Sequence, residues 1–209
     1  MVRVMMEDLV QVIDCLSTKQ VNDVLRELPP ERYEPTTIFG PGGGDDCVVN
    51  DQIRSNTRVC LFDDEEPAKI MHTEMNRILL EYRDRLHYNI NEQYCRYPVP
   101  GTFRTSCYRE RIQVLRYQPG QHYSWHSDDA TDKTVNEYHR TISIVLYLSD
   151  GFSGGATEFP WGTYKPKAGQ ALVFPSNWCF PHQSQRLIFG EKIAAVTWYH
   201  SHYDFDQKA

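Results

Sequence analysis

The sequence has no run of basic residues. Its 22 Lys and Arg are outnumbered by 28 Asp and Glu, which gives a formal net charge of −6. Duplex nucleic acid and anionic membranes attract proteins through clustered lysine and arginine, so neither is an expected partner, although a local basic groove stays open. The acidic surface favours a basic peptide as a partner.

A cysteine pattern and a long apolar run are also missing. The six cysteines include no Cys-x-x-Cys pair, which argues against a zinc ribbon, and their spacing supports no disulfide framework. No stretch approaches the length of a membrane span, and acids near the N-terminus interrupt the apolar core that a signal peptide needs. We therefore expect a reduced, cytoplasmic protein that binds no membrane.

The patterns that are present predict helices first and strands afterwards. Apolar residues recur at helical spacing from Thr18 to Pro29 and from about Glu65 to Leu86, after a short edge strand at 10–15. Alternating apolar residues predict strands over 112–117, 141–148, 170–174 and 192–200. The 13 Tyr, 9 Phe and 4 Trp also favour β structure.

This order of elements predicts an α+β, mainly β fold, a sandwich or barrel with the N-terminal helices packed on one sheet. The 209 residues are expected to form a single domain, with helical support and loops in 1–110 and the β core in 111–203. A glycine run lies within 36–60 but lacks the Gly-Lys-Ser/Thr ending of a phosphate-binding loop, so we expect a flexible loop there.

A histidine and an aspartate stand two positions apart after a Pro-Gly turn. If His126 and Asp128 lie on an extended segment, the period of two points both side chains to one face. An imidazole and a carboxylate side by side make two-thirds of a facial metal site, and the best candidate for the third ligand is His182. The alternative is an ordinary hydrogen-bonded pair, which is the commoner fate of a His beside an Asp.

The predicted strand 192–200 carries one unexpected charge. Lys192 shares a face with Ala194, Val196, Trp198 and His200, and a lysine on such a face is costly unless it meets an anion. Lys192 and Trp198 are roughly 20 Å apart along a regular strand, so they contact different molecules. The alternative is that Lys192 begins the strand at the surface.

Taken together, the motifs follow a recognisable order along the chain. They are His126-x-Asp128, Arg140 to Leu148, Gly154-Gly-Ala-Thr-Glu-Phe-Pro160, Gly169 to Phe174, His182 and Lys192. This order resembles the Fe(II)/2-oxoglutarate dioxygenases and, within them, the collagen-type and algal prolyl 4-hydroxylases, over about residues 110–202. The resemblance implies a double-stranded β-helix, or jelly roll.

The resemblance also implies roles for single residues. His126, Asp128 and His182 would bind Fe(II), since two imidazoles and a carboxylate leave three iron positions open for O2 and the 2-oxo acid. Lys192 would pair with the far carboxylate of 2-oxoglutarate beside the Tyr147 hydroxyl, and Tyr117 would hydrogen-bond nearer the metal. The residues that match the substrate site are Tyr123, Arg140, Trp198 and His200. Tyr123 has the opposite strand parity to His126, so its inward placement depends on the resemblance alone.

The expected activity is hydroxylation of prolyl residues in a peptide or protein, with succinate and CO2 as coproducts and ascorbate as reductant. Because the segment after Asp128 is short, the 36–60 or 91–108 loops are expected to close over the substrate. Two alternatives stay open: a hydroxylase of another side chain or of a free amino acid, and a non-catalytic binding module on the same jelly roll. A zinc hydrolase is disfavoured, because no further acid or base stands out.

Overall fold

The computed structural model describes residues 5–39, 47–86, 109–129 and 138–202. The helices of this part are α1 (Thr18–Arg26) and α2 (Glu66–Arg85), with 3-10 turns at Met6–Leu9 and Pro30–Arg32. The strands are β1 (Gln11–Asp14), β2 (Glu34–Pro35), β3 (Ile38–Phe39), β4 (Cys47–Val48), β5 (Thr57–Cys60), β6 (Gln113–Tyr117), β7 (Tyr123–His126), β8 (Tyr138–Tyr147), β9 (Ser153–Gly154), β10 (Thr157–Phe159), β11 (Gly162–Tyr164), β12 (Gln170–Pro175), β13 (His182–Ser184), β14 (Leu187–Phe189) and β15 (Lys192–His202).

Two antiparallel sheets enclose the functional part of the molecule. The larger has seven strands in the order β1-β12-β8-β15-β6-β5-β2, and the smaller has the order β11-β10-β13-β7. Between them, Phe159 of β10 meets Phe174 of β12 edge to face, with ring centroids 5.0 Å apart. Leu172 and Phe180 complete this buried cluster. Two facing antiparallel sheets of this kind confirm the predicted jelly roll.

The outer face of the larger sheet carries the two helices. The Ser17 hydroxyl accepts a hydrogen bond from the Gln20 amide while the Gln20 side chain accepts one from the Ser17 amide, a capping box that begins α1. The buried residues of both helices pack in one cluster with alternate residues of β8, namely Ile142, Ile144 and Leu146. Ser143, Val145 and Tyr147, which alternate with them, therefore face the space between the sheets.

Gly169 joins the N-terminal segment to the larger sheet. Its amide donates to the Tyr147 carbonyl, and its own carbonyl accepts from the amides of Cys15 and Leu16. The backbone φ is +87°, and a Cβ at this position would lie 2.3 Å from the Leu16 carbonyl oxygen. Only glycine satisfies both requirements, so this turn fixes where the chain before α1 meets β12.

Several predicted elements are longer or more ordered than the sequence pattern indicated. β8 begins at Tyr138 and β15 ends at His202, since the two strands pair with each other beyond their apolar cores. A loop over all of 36–60 is wrong, because Val59 is buried and β5 pairs with β6. The glycine run at 40–44, residues 91–108 and the segment 130–137 lie outside the described residues. The single-domain division stays a prediction.

Within the described part of the chain, no helix has the length and apolar character to cross a membrane.

Candidate active site

The two candidate histidine ligands face each other across neighbouring strands. His126 is the last residue of β7 and His182 is the first residue of β13, and the antiparallel register pairs them directly. Asp128 follows β7 by two residues, and one of its carboxylate oxygens approaches each imidazole. The fold thus brings together three residues that are separated by up to 56 positions in the sequence.

The ligand atoms of these three residues lie within 4.8 Å of one another. His126 Nε2 is 3.6 Å from Asp128 Oδ1, and His182 Nε2 is 3.7 Å from Asp128 Oδ2. The Nδ1 atoms contact backbone carbonyl oxygens, of Ser124 at 2.8 Å and of Phe180 at 3.1 Å respectively. Because a carbonyl oxygen only accepts, Nδ1 carries the ring proton and each Nε2 offers its lone pair to the space between the residues.

Burial and hydrogen bonds set the ionisation of the cluster. Burial alone would raise the pKa of Asp128, but the adjacent His182 and His126 and a hydrogen bond from Ser143 outweigh it and hold that pKa well below its usual range. Burial lowers the pKa of His182. The carboxylate is therefore ionised and His182 neutral, which are the forms that bind a metal.

Two serines orient the Asp128 carboxylate, Ser143 by direct contact and Ser176 through Ser143. The Ser143 hydroxyl donates to Asp128 Oδ2 at 2.7 Å and lies 2.8 Å from the Ser176 hydroxyl. Both serines are 1% exposed. The carboxylate orientation is therefore fixed before any ion arrives.

Tyr123 stacks on His126, with ring centroids 3.6 Å apart and planes 15° from parallel. Strict alternation would put these two residues on opposite faces of β7, since three positions separate them. The register shifts, however: His182 pairs with His126 whereas Ser184 pairs with Tyr123. The extra residue in β7 forms a β-bulge, which turns Tyr123 to the face that carries His126.

Lys192 lies deep in the same space rather than at the surface. It is 2% exposed, and its Nζ donates to the Gly155 carbonyl at 2.7 Å and to the Ser184 hydroxyl at 2.9 Å. Although Lys192 does begin β15, the interpretation that it starts the strand at the surface is wrong. No carboxylate of the described residues forms an ion pair with it, and burial lowers its pKa to about 7.

Two buried phenols flank the lysine. Lys192 Nζ lies 5.0 Å from the ring centre of Tyr117 and 5.1 Å from that of Tyr147. The Tyr147 hydroxyl is 2.7 Å from the Thr157 hydroxyl. Burial raises the pKa of Tyr117 to about 12 and also raises that of Tyr147, so both phenols stay protonated and able to donate.

One cavity of about 420 Å³ connects these groups. The three candidate ligands, Lys192 and Tyr117 line it together with Tyr123, Arg140, Trp198 and Arg54. The predicted shared face of Lys192 and Trp198 on β15 is therefore the face that lines the cavity. His200 stands beside it, in contact with Arg140 through a third residue.

That third residue is Glu110, which the sequence reasoning missed. Its carboxylate accepts two hydrogen bonds from Arg140, at 2.5 and 2.7 Å, and lies 3.0 Å from His200 Nε2. The Arg140 guanidinium in turn lies over the Trp198 ring, 3.8 Å from its centre. Glu110 precedes β6 in a charged run without periodicity, so no sequence signal marked it. The Glu110 amide donates a hydrogen bond to the Trp198 carbonyl, and this bond places Glu110 beside the site.

Arg54 was also missed, because it lies in the segment expected to be a loop. It forms an isolated bridge with Tyr123 and places its guanidinium 4.5 Å from the centre of that ring. A stack of three side chains results, with Tyr123 between Arg54 and His126.

Comparison with known proteins agrees with this geometry. Residues 112–200 match the family model of the 2OG-Fe(II) oxygenase superfamily. A prolyl 4-hydroxylase homologue of Acanthamoeba polyphaga mimivirus is 37% identical over 107 residues, which cover 43% of this chain and 44% of the relative. Prolyl 4-hydroxylase 2 of Arabidopsis thaliana is 32% identical over 124 residues, covering 44% of this chain and 41% of that protein.

Solved structures share the fold over most of the chain. The viral collagen prolyl hydroxylase of Paramecium Bursaria Chlorella virus-1 has a TM-score of 0.62 at 20% identity and covers 92% of this chain and 96% of its own. A prolyl hydroxylase of Trichoplax adhaerens, solved with a hypoxia inducible factor peptide, has a TM-score of 0.65 at 16% identity, with 93% and 84% covered.

The chain spans less than half the length of the two curated relatives described above. The matched region nevertheless contains all three candidate ligands and Lys192. Over residues 112–200 the chain therefore resembles the 2OG-Fe(II) oxygenase superfamily, and the two sequence relatives described above carry the name prolyl 4-hydroxylase.

Proposed function

We propose that this protein is an Fe(II)- and 2-oxoglutarate-dependent dioxygenase that hydroxylates prolyl residues of a peptide or protein. The observation that carries the proposal is the convergence of His126, Asp128 and His182 in one cavity with a buried lysine. In that reaction one oxygen atom of O2 enters the substrate and the other enters succinate, while 2-oxoglutarate loses CO2.

The donor set fits ferrous iron. Two imidazoles with their Nε2 atoms turned inward and one ionised carboxylate would hold the ion and leave positions open for other ligands. Bound there, iron supplies O2 activation in the presence of the 2-oxo acid, and this is chemistry that no side chain provides.

Lys192 fits the far carboxylate of 2-oxoglutarate. Its ammonium group is buried without an anionic partner among the described residues, which is a costly arrangement for the free protein. A carboxylate at Nζ would relieve that cost. Tyr117 and Tyr147, which flank the amine and keep their protons, would donate further hydrogen bonds to the cosubstrate.

Two observations support a prolyl residue in a peptide as the substrate: the names of the relatives and the side chains of the cavity wall. The Trichoplax adhaerens neighbour was solved with a peptide, and several sequence relatives carry the name prolyl 4-hydroxylase. Trp198, with Arg140 stacked on it, and Tyr123 offer flat apolar surfaces on which a pyrrolidine ring can pack. These side chains would orient the substrate and exclude water, with His200 supporting Arg140 through Glu110.

Ascorbate as the reductant and a cytoplasmic location complete the proposal. A basic segment or an apolar span, which would direct the protein to nucleic acid or membrane, is not among its sequence patterns. We expect activity to persist longer over successive turnovers when ascorbate is present.

The test is a turnover assay with a defined control. Protein, Fe(II), 2-oxoglutarate and ascorbate are incubated with a library of proline-containing peptides, and succinate and a mass gain of one oxygen are measured. We expect both with the wild-type protein and neither with His182→Ala. Equal 2-oxoglutarate turnover by the two proteins would remove the iron assignment, and oxidation of free proline or of another side chain would replace the prolyl-peptide assignment.

A further inference from the structure

One wall of the cavity carries an arginine that has no acidic partner in the described part of the chain. Arg54 is 8% exposed, and its Nε donates to the neutral Asn56 Oδ1 at 3.0 Å. Its guanidinium otherwise lies on the Tyr123 ring, and no carboxylate of the described residues forms an ion pair with it. A buried guanidinium normally has an anionic partner, since its desolvation is costly.

A second arginine on the same wall is in a similar position. Arg58 donates to Gln113 Oε1 and to Thr37 Oγ1, both at 3.3 Å and both neutral, and its buried Nε has no hydrogen-bond partner. Arg54 and Arg58 both line the cavity. Two positive charges with neutral contacts therefore face the same space.

Other part-buried arginines of this protein behave differently. Arg109 meets Asp63 at 2.6 Å, Arg116 meets Glu191 at 2.6 Å, and Arg140 meets Glu110 at 2.5 Å. Carboxylates therefore neutralise these three arginines of the described part of the chain. The unbalanced pair lies on the cavity wall, where a ligand can supply the missing anion.

The backbone holds Arg54 in place before any ligand binds. The Ser124 amide donates to the Ile53 carbonyl at 2.8 Å, and the Ser55 amide donates to the His122 carbonyl at 3.1 Å. These bonds tie the segment that carries Arg54 to the strand that carries His126. The guanidinium is thus preorganised next to the candidate metal ligands.

The other charges of the cavity already have partners in the proposed function. Asp128 would bind the metal, Lys192 would bind the cosubstrate, and Arg140 pairs with Glu110. Asp129 is exposed at the cavity edge. Among the described residues of the cavity wall, Arg54 and Arg58 are therefore the cations left to meet a substrate, although the whole chain has a net charge of −6.

We propose that the substrate carries an acidic side chain close to the target residue, and that Arg54, assisted by Arg58, binds this carboxylate. The proposal depends on the function proposed above, because it names a property of the same substrate. A guanidinium can donate two parallel hydrogen bonds to a carboxylate, which gives selectivity as well as affinity. At this short range the local pair outweighs the acidic surface, whose distant charges are screened by salt.

Binding to blocked peptides tests the proposal without requiring turnover. The peptides contain one proline, and the positions next to it hold Glu, Gln or Lys in an otherwise constant sequence. The full chain is loaded with Fe(II) and 2-oxoglutarate without O2. We expect Glu peptides to bind about tenfold more tightly than Gln peptides, and Lys peptides to bind least tightly. This preference should shrink at about 0.5 M salt.

Two variants separate the cavity charge from the net charge. Arg54→Gln should reduce the Glu preference to about twofold or less, whereas Arg26→Gln, which removes the same charge from an exposed position on α1, should leave it intact. If Arg54→Gln does not fold, Arg58→Gln and the salt dependence of the wild-type protein replace it. Equal binding of Glu and Gln peptides, or a preference that survives in Arg54→Gln, overturns the proposal.

A third outcome would reassign Arg54. If Arg54→Gln weakens 2-oxoglutarate binding and leaves peptide preference unchanged, the arginine belongs to the cosubstrate site and the inference is wrong. Hydroxylation is scored separately, by admitting O2 and measuring mass. A Glu preference without oxygen incorporation would contradict the prolyl hydroxylase proposal and support the acidic-ligand inference. Oxygen incorporation without a Glu preference would support the prolyl hydroxylase proposal and contradict the acidic-ligand inference.

Discussion

His126 and His182 are held by the same local device on two paired strands. Each ring donates its Nδ1 proton to the backbone carbonyl two residues earlier in the chain, that of Ser124 and that of Phe180. The ring centroids are 4.3 Å apart with planes at 56°. Because the backbone itself orients both rings, the ligand geometry exists before metal binds, and metal binding has little side-chain entropy to overcome.

Replacing Asp128 should therefore remove metal binding and leave the histidine rings in place. Asp128→Asn keeps the shape of the side chain but loses its charge, so we expect Mn(II) or Fe(II) affinity to fall by at least about 100-fold. The measurement is the rise in Tm on adding metal, which should disappear. Asp129→Asn, an exposed neighbour, is the matched control and should keep that rise.

Ser143 should act on the metal through Asp128. Ser143→Ala removes the hydrogen bond to Asp128 Oδ2, and loss of such an outer contact commonly costs about 10–100-fold in metal affinity. Titration of Mn(II) into the free protein measures this without any turnover. Unchanged affinity in Ser143→Ala would show that Ser176 and the backbone suffice to orient the carboxylate. Ser153→Ala, in β9, controls for the loss of a hydroxyl.

In the absence of 2-oxoglutarate, buried Lys192 should lower the free energy of unfolding of the protein. Its folded pKa of about 7 lies below its ordinary value of 10.5. Between these values the unfolded chain binds more protons, so stability rises with pH, and the full cost is present below pH 7. Lys192→Met should therefore raise the free energy of unfolding by about 1–4 kcal/mol at pH 6 and by less at pH 9. Denaturant unfolding at the two pH values measures the difference, and a destabilised variant at pH 6 would contradict the assignment.

The same lysine should couple cosubstrate binding to proton uptake. Above pH 7 the free protein holds Lys192 mainly neutral, whereas a bound carboxylate favours the ammonium form. We expect nearly one proton to be taken up per 2-oxoglutarate at pH 8, and the affinity to fall by about tenfold per pH unit above that. Calorimetry in buffers of different ionisation enthalpy counts the protons. Lys192→Met should bind weakly and take up none.

The sequence was informative where residues act through strand parity. Alternation placed Lys192 and Trp198 on one face of β15, and the cavity contains both. Helix periodicity likewise located α1. These features depend only on the spacing of residues along the sequence, so the sequence alone predicts them.

Features that depend on contacts between distant segments were not predictable in this way. The inward turn of Tyr123 requires a bulge, and a bulge is defined only by the partner strand β13. Glu110 reaches the site through its backbone bond to Trp198, and Arg54 reaches the cavity through its bridge with Tyr123, both in segments without periodicity. The net charge of −6 likewise did not predict two arginines with neutral contacts on the cavity wall, because the fold decides which charged residues lie there.

Glu110 should act as a positioning residue for substrate. Burial alone would raise its pKa, but the hydrogen bonds from His200 and Arg140 outweigh it and lower the pKa. Glu110→Gln leaves Arg140 without its carboxylate, so the guanidinium loses its fixed place over Trp198. We expect kcat/KM for a peptide substrate to fall by about tenfold while the affinity for 2-oxoglutarate stays the same.

The pH dependence of the free energy of unfolding and a control variant together separate substrate positioning from a general loss of stability. Because the folded pKa of Glu110 is lowered, its stabilising contribution is present above the unfolded value of about 4.3 and is lost as pH falls through the folded one. The stability difference between wild type and Glu110→Gln should therefore vanish in acid. Glu191→Gln removes a carboxylate that pairs with Arg116 outside the cavity, and it should leave peptide kcat/KM unchanged. If both variants lower peptide kcat/KM equally, the effect is a general loss of stability, and Glu110 has no special part in substrate orientation.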